Sequence, residues 1–117
     1  MLDREAVLEL IDLSRDTDPA MLDQIIVNFR ESAPPLIFEI KLAYEENNSE
    51  KVEKAAHKLK GSAGMLGLLD LSQCAGEVMI SARRHEQVEN KKYITDLTNI
   101  FNSSLAELSS FIEQHRN

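Results

Sequence analysis

One histidine, His57, stands in the run His57-Lys58-Leu59-Lys60-Gly61-Ser62-Ala63-Gly64-Met65-Leu66-Gly67, with cations and glycines at helical spacing around it. At about 100° per residue, Val52, Ala55, Ala56, Leu59, Ala63 and Leu66 fall into one apolar stripe that faces a core. His57 lies about 140° from Val52 on the same wheel, Gly64 about 120° and Gly61 about 180°. The imidazole therefore projects to solvent, with bare backbone on its own face one and two turns further on. Each interior glycine costs a helix about 1 kcal/mol relative to alanine. Two such losses beside an exposed histidine point to a second molecule that must come close. Lys60 lies about 60° from His57 on one flank, and Lys54 stands one turn before it on the other. Ammonium groups so placed stabilise a phosphoryl group on the ring, while Glu50 and Glu53 oppose them. The chemistry that fits is nucleophilic phosphoryl transfer. A ring nitrogen attacks a phosphoryl donor, holds the group as a phosphoramidate and gives it up to another acceptor.

The rest of a kinase or phosphatase is missing from the sequence. No phosphate-cradling loop of the P-loop type is present, nor a carboxylate trio for magnesium. A partner must bring the metal and the catalytic apparatus, so the expectation is a carrier with no cofactor or metal of its own, not an enzyme. A di-metal bundle needs inward Glu-x-x-His pairs. Lys54 stands three residues before His57 and Ala82 three before His85, which excludes it. His85 follows Arg83-Arg84 at an expected helix end, where a cation meets the dipole favourably, and His115 falls in an expected frayed tail.

Composition narrows the field further. The 117 residues carry a formal charge of −7, with 43% hydrophobic and 28% charged residues. This is the balance of one soluble domain. Nucleic acid is a poor partner for such a charge, because its binding depends on cationic contacts to phosphate. The beginning of the chain lacks the basic and apolar regions of a signal peptide. No apolar run approaches the roughly 20 residues of a membrane span. The one cysteine, Cys74, sits among Leu71, Ala75 and Val78 and reads as a small core residue in a reducing compartment. A cytoplasmic location is expected, with no membrane partner.

Every segment with a clear period reads as helix. A short helix over about 3–14 buries Val7, Leu10 and Ile11. Asp18 as N-cap and Pro19 at the first helical position open a helix over about 19–46. Pro34 and Pro35 interrupt it, but the apolar phase from Leu22 to Tyr44 survives them, which predicts a kink and not two helices. Asn47-Asn48-Ser49 is a polar turn in which Ser49 or Asn48 can cap the histidine helix, about 49–67. Asp70-Leu71-Ser72-Gln73 resembles a capping box for a helix over about 70–86, and a last helix covers about 90–115. Short loops between long amphipathic helices imply an all-α, antiparallel up-down-up-down four-helix bundle with a short extra N-terminal helix, one domain over 1–117. Its core should centre on Phe29, Ile37, Leu59, Leu66, Val78, Phe101 and Leu108.

The run from His57 to Gly64, followed by Leu66-Gly67, resembles the signature of histidine-containing phosphotransfer (HPt) domains of two-component phosphorelays, and the likeness extends over nearly the whole chain. The resemblance implies that His57 is phosphorylated, that Lys60 neutralises the phosphoryl group, and that Gly61 lets a receiver domain's loops dock over the imidazole. Ser62 and Gly64 would complete the close-packed surface and Gly67 would end the helix; Lys54, Lys58 and Met79 are expected on the same docking surface, bordered by Arg83 or Arg84. The implied partners are response-regulator receiver domains, which supply the aspartate, Mg2+ and their own lysine, and a sensor or hybrid histidine kinase. A monomer is expected. Many members place a glutamine 22 residues after the histidine; here that residue is Met79, which leaves open what orients the ring. The competing reading is a helical docking module that binds a receiver or kinase domain without phosphotransfer.

Overall fold

The computed structural model describes residues 1–116 and contains five helices: α1 (Arg4–Asp16), α2 (Met21–Glu45), α3 (Ser49–Met65), α4 (Leu69–Arg83) and α5 (Gln87–His115). Three-residue loops at 46–48, 66–68 and 84–86 make α2 to α5 antiparallel neighbours, and α2 and α5 close the ring. The longest dimension, 47 Å, matches the 29 residues of α5 at about 1.5 Å each. α1 packs on α2 and α5. The seven residues expected to centre the core are all buried, each contributing roughly 1.5–3 kcal/mol before entropy is set against it. Phe29 and Phe101 meet there with ring centroids 5.8 Å apart.

Chain reversal follows one rule at three helix ends. Asn47, Gly67 and His85 adopt φ of 57°, 71° and 56°. In each case the next residue's N–H reaches back to the carbonyl of Ala43, Ala63 or Ser81 at 2.9–3.0 Å. These are Schellman ends, in which a left-handed residue turns the chain while freed carbonyls are satisfied. Gly67 is the most constrained of the three. A Cβ there would stand 3.0 Å from the Asp3 carbonyl oxygen and 3.1 Å from Val7 Cγ2. Helix α3 therefore ends at Met65, and Gly67 is the turn beyond it.

Several boundaries depart from expectation, each for a local reason. Asp18 does not cap α2. Its carboxylate accepts from Ala20 N–H at 3.0 Å inside a turn, and α2 starts at Met21. The buried Ser14 hydroxyl accepts from Leu22 N–H instead. Pro34 and Pro35 lie within an unbroken α2; both are exposed, as are Arg30 and Glu31, whose carbonyls they leave without a donor, so water can take that place. Asp70 does not cap α4 but pairs with the N-terminal ammonium. The first helical N–H, of Leu69, is taken by the Met1 and Gly67 carbonyls, with Leu2 bridged to Leu68. α4 ends at Arg83 and α5 begins at Gln87, because Asn90 is a buried interior residue whose amide donates to Val78 O and Ser81 Oγ, both at 2.9 Å. His115 closes α5 with its ring stacked on Phe111, centroids 4.1 Å apart, and is not frayed.

Candidate functional site

Helices α3 and α4 run side by side in one antiparallel register, and that register builds the site. Ser72 stands beside Gly64: a Cβ on Gly64 would lie 3.6 Å from Ser72 Oγ. One turn along, the Lys60 stem crosses Gly76, with Cδ and Cε 3.6 Å from where a Gly76 Cβ would be. Next, His57 and Met79 share the wall of an open cleft. Beyond them Arg83 grips Glu53, its Nε and Nη2 both 2.9 Å from Oε1. Ser72 Oγ also donates to the Lys60 carbonyl at 3.2 Å, tying the two helices at that end.

The cleft measures about 520 Å3, far more than a phosphoryl group fills. Lys54, His57 and Lys58 of α3 and Met79 and Arg83 of α4 line it, together with Glu50 and Glu53. Lys54 is held at 3.3 Å from Glu50. Three cations thus face two carboxylates around the imidazole, a locally positive spot on a chain whose overall charge is −7. His57 is exposed. Met79, 9% exposed, gives the ring an apolar wall. Its thioether is a weak acceptor only and cannot donate to a ring nitrogen as an amide would.

Gly61 and Gly64 continue the exposed face beyond His57. A Cβ at Gly61 would meet nothing within 4 Å, and at Gly64 only the ordinary Ser72 contact. Packing among the described residues requires neither glycine.

Two expected site residues sit elsewhere. The Lys60 ammonium is not part of the cleft wall; it follows its stem over Gly76 on α4. Ser62 is half-buried about 140° around α3 from His57, and its hydroxyl donates to Lys58 O of its own helix at 3.0 Å. Sequence reasoning missed two contributors. Gly76 is buried and provides the bed for Lys60; a lone glycine inside the apolar stripe of α4 was the available signal. Glu53 registered only as an opposing charge, whereas it holds Arg83.

Outside the cleft, Cys74 is buried, 7% exposed. Its Sγ lies 3.4 Å from the Tyr93 carbonyl. Burial, and then the charges of Asp96 and Glu77, push its pKa up to about 11, which makes it an inert core thiol. Among the described residues no three His, Cys, Asp or Glu side chains converge to hold a metal. No described helix is long and apolar enough to cross a membrane.

Comparison with known proteins gives three findings. The model of the Hpt domain family matches residues 24–115. The sensor protein TorS of Escherichia coli (strain K12) is 34% identical over 74 residues, 61% of this chain. The match covers only 8% of that protein's length. A crystal structure of the histidine-containing phosphotransfer protein ZmHP2 from maize superposes with a TM-score of 0.80, covering 94% of this chain and 84% of that one at 17% identity. That likeness is one of fold.

Proposed function

The chain belongs to the Hpt domain family, and on that premise we propose that it is a phosphorelay intermediate. His57 accepts a phosphoryl group from the aspartate of one receiver domain and passes it to the aspartate of another. In the forward step an unprotonated ring nitrogen attacks phosphorus. The P–N bond forms as the acyl-phosphate P–O bond breaks, and the receiver's carboxylate leaves. The receiver brings the magnesium ion and its own lysine, and this chain supplies the nucleophile, nearby cations and a docking face. A histidine kinase feeds the relay, and the carrier works as a cytoplasmic monomer.

One observation carries the reading: the exposed imidazole is followed, one and two turns further along its face, by glycines where packing would have tolerated a side chain. Lys60, laid along α4, can swing its ammonium toward a phosphoryl group on the ring. Lys54 and Lys58 line the same cleft as His57.

The test is transfer from a receiver domain charged with radiolabelled acetyl phosphate in magnesium, with wild type beside His57→Gln. Acid-labile, base-stable label on the wild type alone supports the carrier. If neither protein takes label while both bind the receiver, the chain is a docking module and the reading fails.

A further inference from the structure

The ion pair between Glu53 and Arg83 has a property that a structural clamp would not need. Both partners line the same cleft as His57. Glu53 precedes His57 by one turn on α3, where side chains four apart are surface neighbours, and Arg83 follows Met79 by one turn on α4. The guanidinium directs Nε and Nη2 at a single oxygen, Glu53 Oε1, so its remaining N–H groups are free for a second acceptor. The pair is also weak. Its side chains are 59% and 33% exposed, and pairs of that kind interact only modestly. A phosphoryl group brings up to about two negative charges and three acceptor oxygens, against one charge on Glu53.

We propose that Glu53 is a positioning residue that parks Arg83 at the edge of the cleft and releases it to the phosphoryl group once His57 carries one. The inference rests on the phosphocarrier reading and adds an exchange of partners at the same site. In the unphosphorylated state Arg83 is held in reach but neutralised. In the phosphorylated state the guanidinium turns to the phosphoryl oxygens, and Glu53 is left to solvent. The acceptance equilibrium is thereby softened: the incoming group gains a cation but must first break that cation's existing bond. This keeps the phosphoryl group transferable onward.

The test uses potassium phosphoramidate in ammonium buffer. The reagent's P–N bond breaks, ammonia leaves, and a P–N bond to His57 forms. Phosphorus NMR reads the ratio of phosphorylated to free His57 at equilibrium, with His57→Gln subtracting any label on His85 or His115. Wild type, Glu53→Gln, Arg83→Gln and the double variant make a cycle. Exchange predicts that Arg83→Gln lowers the ratio more in the Glu53→Gln background than in wild type, by about two- to five-fold, the strength of an exposed ion pair. A fixed electrostatic field predicts the same effect in both backgrounds, and a purely structural clamp predicts none in either; both results overturn the proposal. Arg83→Lys, which keeps the charge without the fork, should recover part of the ratio, and no recovery counts against exchange. Failure of the wild type to take the group on His57 overturns the underlying reading, and the proposal with it.

Discussion

Replacing Gly61 by alanine should make this protein more stable and a worse phosphoryl carrier. Gly61 lies inside α3, is exposed, and a methyl there meets nothing within 4 Å. The substitution therefore recovers only the conformational term, about 0.5–1 kcal/mol. For a chain of this size that raises Tm by about 2–6 °C. The same methyl stands one turn from His57 on the face proposed here to dock a receiver domain. Crowding a close-packed contact by one methyl costs about 1–3 kcal/mol, which appears as about a five-fold or greater loss in kcat/KM for transfer. Calorimetry on wild type and Gly61→Ala, with rapid-quench transfer from a charged receiver domain, gives both quantities. A fall in Tm would show that the fold itself requires the glycine. A rise in Tm with undiminished transfer, for Gly61→Ala and the bulkier Gly61→Gln alike, would refute the docking face.

Gly67→Ala should behave oppositely. Its left-handed φ and the Asp3 carbonyl 3.0 Å from the new Cβ predict a loss of about 1–3 kcal/mol in denaturant melts. His85 occupies the same conformation at the end of α4 without a glycine's freedom, so His85→Gly should stabilise by about 1 kcal/mol and leave transfer unchanged. With its pKa pushed up to about 11, Cys74 should alkylate about 100-fold more slowly at pH 8 than a free thiol, and unfolding should abolish that protection. Because the fold favours the protonated thiol, its contribution to stability is full below about pH 9 and lost as pH rises toward 11. Melts across that range should fall more steeply for wild type than for Cys74→Ala.

The helices were legible because each has a continuous apolar phase. Even Pro34 and Pro35 did not hide α2, since Ala33 and Ile37 on either side keep the stripe. The exposed placement of His57, Gly61 and Gly64 followed from the same arithmetic. Boundaries were less legible where a distant group does the capping. Asp18 and Asp70 are good caps by type, but Ser14 from α1 and the Met1 carbonyl occupy those positions. The last helix is expected from about Asn90, yet that residue lies inside α5, where its amide serves two acceptors on α4. The site's inner wiring depends on the α3–α4 register, which no single-helix wheel contains. That register sets Lys60 on Gly76 and Arg83 on Glu53, and it removes Lys60 from the cleft wall. Ser62 lay on the other flank of the wheel from the outset, and only the motif resemblance had placed it with His57.

The central claim is that His57 hands a phosphoryl group from one receiver aspartate to another. The most direct measurement is a three-component relay: one receiver domain charged with radiolabelled acetyl phosphate and freed of the reagent, a second uncharged receiver, and this protein at catalytic concentration with magnesium. The account predicts that label reaches the second receiver only when the wild-type chain is present, passing through an acid-labile species on it, and that His57→Gln stops the flow. Label arriving at the same rate with His57→Gln, or never arriving although the wild type binds both receivers, would contradict it.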